Sequence, residues 1–284
     1  MNKSFRDLQT KFRLTSININ SMIVVNVYLV ACVAAVHAAP ETRIVDGVKA
    51  DKGEWPWQLA LYIGTLFNCG GSILGPTWGV TAAYCVGGAP NSYQMIAGTN
   101  LNRISCGPSE CFIRVLANAT RHPNYTAIGQ RGHPNDLAYI AWESPIPEFS
   151  GDVNVKYAMR ATTDDQIGKN CYVTGWGRLS GYGPLPIDLY EAKVGVISKE
   201  QCRKYWGDKV SDSQICVQDL KDFTSGPCTS DNGGPLVCEV APKIWELVGV
   251  ASWGAAKCNA SYPFVYTRMT SFNNWLDGQV KPKY

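Results

Sequence analysis

Short runs of alternating apolar and polar residues dominate the chain. Among them are Trp57-Gln58-Leu59-Ala60-Leu61-Tyr62, Ser72-Ile73-Leu74, Tyr172-Val173-Thr174 and Glu246-Leu247-Val248-Gly249-Val250. A period of two puts every second side chain on one face of a strand. Gly, Pro and Asn punctuate the runs, as turns between antiparallel strands require. The pattern predicts an all-β protein with two helical exceptions. Ser198-Lys199-Glu200-Gln201 has capping-box spacing and predicts a short helix running toward Tyr205. Near the end, Phe272, Trp275, Leu276 and Val280 recur at helical intervals and predict an amphipathic C-terminal α-helix. No tandem repeat or low-complexity tract stands out. Glu143 to Ala161, with Pro145 and Pro147, is the expected linker between two halves.

The beginning of the chain reads differently. Lys3, Arg6, Lys11 and Arg13 precede an apolar run from Ile23 to Val36 that ends in small residues at Ala38-Ala39. That order is the order of a secretory signal. Asn26 and Tyr28 interrupt the run, which falls short of the roughly 20 apolar residues that span a membrane. The reading is a signal peptide over residues 1–38, with Met22 as an alternative start and a signal anchor as the competing reading. A short segment, 39–43, and a body over 44–284 follow.

Setting the leader aside changes the charge. The chain has 26 Lys and Arg against 23 Asp and Glu; five of those bases and two of the acids precede Ile44. The remaining 241 residues carry 21 of each and are formally neutral. A neutral body offers no argument for nucleic acid or heparin binding. Of 11 cysteines, Cys32 lies in the leader, and the other ten, in a secreted context, read as five disulfides. The body is long for one domain yet ordinary for a double β-barrel. Asn118, Asn124 and Asn259 each open an N-x-S/T glycan acceptor. No residues cluster at metal-ligand spacing and no glycine-rich phosphate loop occurs, so no metal or cofactor is expected.

A series of landmarks runs in order along the body: Arg43-Ile44-Val45-Asp46-Gly47, Cys69-Gly70-Gly71-Ser72, Thr81-Ala82-Ala83-Tyr84-Cys85, Asn135-Asp136-Leu137-Ala138, Thr174-Gly175-Trp176-Gly177, Cys228-Thr229-Ser230-Asp231-Asn232-Gly233-Gly234-Pro235, Ser252-Trp253-Gly254 and Tyr262-Pro263-Phe264-Val265-Tyr266. In these the chain resembles the trypsin and chymotrypsin family of serine proteases. The resemblance implies two six-stranded antiparallel Greek-key β-barrels packed face to face, with a cleft between them. It also implies disulfides Cys69–Cys85, Cys171–Cys238, Cys202–Cys216 and Cys228–Cys258. Cys106 and Cys111 are left for each other, stapling a loop where family members often bind calcium, which argues against calcium here.

The resemblance also implies a triad that is not intact. Asn232 stands where the family's attacking serine belongs, and an amide has no ionisable hydroxyl or thiol with which to form an acyl-enzyme. Tyr84 stands at the histidine position, and a phenol is a poor proton acceptor at neutral pH. Asp136 matches the orienting acid and is expected to hold its loop by hydrogen bonds. His133 is expected near the cleft rim with no hydroxyl at position 232 to serve, and His122 in an ordinary turn. Ser230 replaces a glycine whose N–H faces the developing oxyanion. A glycine-type dihedral there would strain the serine or flip the peptide away. The primary pocket would be built from Gly226, Pro227, Ser252, Trp253, Gly254 and Phe264. It has no acid for a basic side chain, and Phe264 replaces a glycine that keeps the pocket open. The alternative is that Phe264 turns outward, because the stretch from Ser252 to Cys258 looks one residue longer than usual.

Arg43 followed by Ile44 matches the activation cleavage site, and Asp231 matches the carboxylate that captures the new amino terminus. The expected protein is therefore a secreted, monomeric pseudoprotease. A trypsin-like protease would cut it after Arg43, and it would bind an unidentified extracellular protein in a protease cascade or innate immunity. Residual or atypical endopeptidase activity and a decaying gene copy are the competing readings.

Overall fold

Alternation organises two sheets that each curl into a ring. The structure, a computed structural model, describes residues 47–107, 109–127, 132–149, 153–180, 182–223 and 225–280. The leader 1–38 with Met22, the segment 39–43, Arg43 and Ile44 lie outside them. A two-residue strand, β1 (Val48–Lys49), comes first. The first sheet then takes β2 (Gln58–Ile63), β3 (Leu66–Gly75), β4 (Trp78–Thr81), β5 (Tyr93–Ala97), β6 (Phe112–Val115), β7 (Asn118–Arg121) and β8 (Ala138–Ala141). Its order is β6-β5-β2-β3-β4-β8-β7. β6 and β7 are halves of one stretch that changes partners at Leu116-Ala117. Leu116 N donates to Tyr93 O (3.0 Å) on the β5 side, and Ala117 N to Ala141 O (2.8 Å) on the β8 side. That switch closes the ring and leaves no open edge.

The second sheet holds β9 (Met159–Arg160), β10 (Cys171–Gly175), β11 (Tyr190–Ile197), β12 (Gln214–Gln218), β13 (Pro235–Ala241), β14 (Ile244–Trp253) and β15 (Phe264–Arg268). The order β11-β10-β13-β14-β15-β12 closes because β12 also pairs with β11. β1 adds to β11, and β9 pairs in parallel with β14. Two six-stranded barrels result, as expected.

Both barrels are filled by the apolar faces: Leu59, Leu61, Ile73, Met95 and Ile140 in the first, Val173, Val217, Leu236, Val248 and Tyr266 in the second. In β2 only Ile63 is exposed, so both faces of the strand are covered. The other face of β2 meets the second barrel, where Thr174 Oγ1 donates to Gln58 Oε1 at 2.6 Å.

Helix α1 (Lys199–Trp206) opens on Ser198 with both capping-box bonds made: Gln201 N to Ser198 Oγ and Ser198 N to Gln201 Oε1. Helix α2 (Asn273–Gln279) follows a 3₁₀ turn, Met269–Phe272, and buries Leu276. It is shorter than the periodicity suggests, since Val280 falls at its C-cap and is exposed. All five expected disulfides form, Cys106–Cys111 included. Among the described residues, no helix is long and apolar enough to cross a membrane.

Candidate functional site

The cleft collects residues from both barrels. Tyr84 rides on a 3₁₀ turn, Ala83–Cys85, just after β4 and is 60 % exposed. Asp136, just before β8, is 1 % exposed. Tyr84 N donates to Asp136 Oδ1 at 2.8 Å, and Ser252 Oγ donates to Asp136 Oδ2 at 2.6 Å. Thr267 Oγ1 reaches the Asp136 carbonyl oxygen at 2.8 Å. Burial pushes the Asp136 carboxyl upward, and these hydrogen bonds partly offset the shift. Asp136 thus ties its loop to β14 and β15. His133 lines the same cleft but makes no hydrogen bond with Asp136, and its buried Nδ1 has no partner among the described residues. His122 packs edge-on against Phe272 and Trp275, as a structural turn residue.

The loop over residues 228–234 is held by its own backbone and by bonds to the strands around it. Asp231 N donates to Cys228 O, Gly233 N to Ala251 O, and Gly234 N to Asp231 O. Gly233 has φ +80°, and a Cβ there would collide with Thr81 Oγ1. Asn232 Nδ2 donates to the Ser252 carbonyl oxygen at 2.5 Å, and Gly70 N donates to Asn232 O at 2.9 Å. Ser252 therefore holds Asp136 through its hydroxyl and Asn232 through its backbone. The sequence motif marks Ser252 only as part of the pocket wall. Nothing local could signal the double role, because Asp136 and Ser252 lie 116 residues apart.

Ser230 resolves the choice between strain and flip. Its φ is +78°, the left-handed region that glycine tolerates and serine does not favour. The Thr229 carbonyl is anchored by Arg178 N at 2.8 Å, so the trans peptide turns the Ser230 N–H away from Arg178. Within the loop, the N–H groups of Ser230 and Asn232 are the two without an acceptor among the described residues.

Phe264, at the start of β15, turns inward. Its ring presses on Gly254 so closely that a Cβ there would overlap it, and it meets Tyr266 edge-on at 5.5 Å. The space left beside Gly226, Pro227 and Phe264 is about 20 Å³. That admits roughly one water and no side chain. The open part of the cleft is larger, about 310 Å³; besides Tyr84, His133, Asp136 and Asn232, five of the six expected pocket residues line it, namely Pro227, Ser252, Trp253, Gly254 and Phe264.

Behind the loop, Asp231 is 4 % exposed. Its oxygens accept Gly177 N and Cys228 N, each at 2.8 Å, and burial pushes its carboxyl up to about 6. A Cβ on Gly175 or Gly177 would strike the carboxylate, so both glycines make its cradle. Asn118, Asn124 and Asn259 are all exposed. No group of acids, histidines and cysteines among the described residues could hold a metal ion.

Comparison with known proteins agrees with this architecture. The Trypsin family profile matches residues 44–276. Transmembrane protease serine 11G of Mus musculus is 31 % identical over 253 residues, covering 88 % of this chain. The match takes in 58 % of that relative's length. Neuropsin, described as a serine protease expressed in the limbic system of mouse brain, superposes with a TM-score of 0.72 at 26 % identity. It covers 83 % of this chain and 99 % of its own. With the fold, the disulfides and the ordered landmarks all in agreement, the chain belongs to the trypsin family of serine proteases.

Proposed function

We propose that this chain is a secreted serine protease homologue that does not cleave peptides and acts as a binding and regulatory module outside the cell. Asn232 carries the reading. At the position of the attacking serine it offers an amide, which cannot form an acyl-enzyme, and that amide is engaged with Ser252 O at 2.5 Å. Tyr84 gives Asp136 a backbone N–H in place of an imidazole. Phe264 presses its ring against Gly254 in the wall that would meet a substrate side chain. What remains is a cleft walled by aromatic and polar groups, suited to holding an extended segment without chemistry.

The remaining parts fit an extracellular life. Five disulfides and three exposed acceptor asparagines suit the secretory route. The Asp231 cradle suits capture of an amino terminus freed by a trypsin-like protease cutting after Arg43. The protein ligand would be an extracellular partner in a protease cascade or in innate immunity, bound by a monomer.

A fluorophosphonate probe tests the central claim, because it labels only an activated serine. The secreted protein, cut after Arg43 by trypsin, should remain unlabelled under conditions that label the trypsin itself. Labelling of any serine in the chain would overturn the reading.

A further inference from the structure

Away from the cleft, a buried acid closes the N-terminal segment onto the second barrel. β1 pairs with β11 at Val48↔Glu191 and Lys49↔Tyr190, and Ala50 N donates to Leu189 O at 3.0 Å. The next turn closes on itself: Glu54 N donates to Asp51 O at 3.1 Å, and Asp51 N to Glu54 Oε2 at 2.9 Å. Trp55 then donates its indole N–H to Glu191 Oε2 at 2.5 Å. Both side chains are buried, 5 % and 8 % exposed. The Trp55 ring contacts Trp57, Tyr172 and Trp245 at centroid separations of 6.0, 5.5 and 5.3 Å. The Glu54 carboxyl, exposed and accepting the Asp51 N–H, is the nearest further acid acting on Glu191.

A buried carboxylate close to other acids is costly unless it holds a proton. The charges acting on Glu191 are the acids Glu54 and Asp51. Of the lysines nearby, Lys49 is bonded to Asp188 at 2.9 Å, Lys52 lies on the same segment, and Lys193, two residues along β11, is exposed. Across the sheet stands Tyr172, itself in the field of Glu191, Glu54 and Glu239. Desolvation first, then the neighbouring acids, raise the Glu191 carboxyl to about 7.

We propose that Glu191, buried under Trp55, is a proton-dependent latch that holds segment 47–55 on the second barrel while its carboxyl is protonated and loosens the segment when it is charged. The latch needs neither the altered triad nor a cut after Arg43. A carboxyl whose folded value lies above its free value, here 4.5, stabilises the fold fully at low pH. That contribution declines as pH rises and is gone above about 7.

Hydrogen exchange on the secreted protein between pH 5 and 8.5, corrected for intrinsic rates, reads the latch through the Ala50 amide. Its opening constant should climb with a slope approaching tenfold per pH unit, up to about a hundredfold in all, and level off above pH 7. Glu191→Gln keeps a donor and an acceptor in place and should flatten the profile. Glu54→Gln removes a neighbouring charge but leaves Glu191 buried, so it should keep the slope and move the levelling-off to lower pH; it serves as a second variant should Glu191→Gln fold poorly. Amides in β2 and β13 report whether each variant keeps its fold. A flat wild-type profile, a wild-type slope in folded Glu191→Gln, or an unshifted profile in Glu54→Gln overturns the latch.

Discussion

Cutting the chain after Arg43 should change its stability in a pH-dependent way that Asp231 dictates. The Asp231 carboxyl accepts two backbone N–H groups, and burial raises it from 3.8 to about 6 in the uncut chain. A rise of about 2 units, at roughly 1.4 kcal/mol per unit, corresponds to about 3 kcal/mol. Because the folded value lies above the unfolded one, the uncut fold is favoured by the protonated acid. It loses those ~3 kcal/mol between about pH 4 and pH 6 and nothing further above. An ammonium at Ile44 beside the carboxylate reverses the sign. The carboxyl then falls below its ordinary value, so the pair stabilises above about pH 4 and its contribution fades on acidification. For a body of this length, 1 kcal/mol moves Tm by roughly 2–4 °C. The assay is calorimetry on an uncleavable Arg43→Gln chain and on the cut protein. At pH 7.5 the cut form should melt at least about 6–12 °C higher, and the gap should close only as pH falls below about 4. Superimposable melting curves at both pH values would refute the capture of the new terminus by Asp231.

Three further outcomes follow from the cleft. The double reversion Tyr84→His with Asn232→Ser should leave peptide turnover near background, because Phe264 still fills the pocket; robust cleavage of an apolar peptide would show the pocket open. Phe264→Gly should cost about 3 kcal/mol in denaturant titration, and small aromatic molecules should then raise the melting temperature of the variant but not of the parent. Ser230→Gly should stabilise the protein by about 1 kcal/mol, read from the urea midpoint, because φ +78° strains a serine and not a glycine; an unchanged or lower midpoint would mean that the loop carries no such strain.

Much of this was legible in the residues because the signals are local. A capping box is three residues long, and the Ser198 box forms as its spacing requires. The period of two along β2, β10 and β14 marks strands wherever they end up. The landmark cysteines carried their partners with them through the family resemblance, and all five bonds are present. Val280 misled for an equally local reason, since helical periodicity does not report where backbone hydrogen bonding stops.

By itself, then, the chain determined which segments are strands, which two become helices, and which cysteines and landmark motifs mark the family. Tertiary structure alone decided the side chains' partners. It turned Phe264 inward onto Gly254, bound the Asn232 amide to Ser252 O, kept Ser230 in a glycine-type conformation, and buried Glu191 under Trp55 beside Glu54. Backbone preference acts over a few neighbouring residues. Burial and hydrogen bonding in a cleft are settled by groups a hundred or more residues apart, brought together only when both barrels have closed.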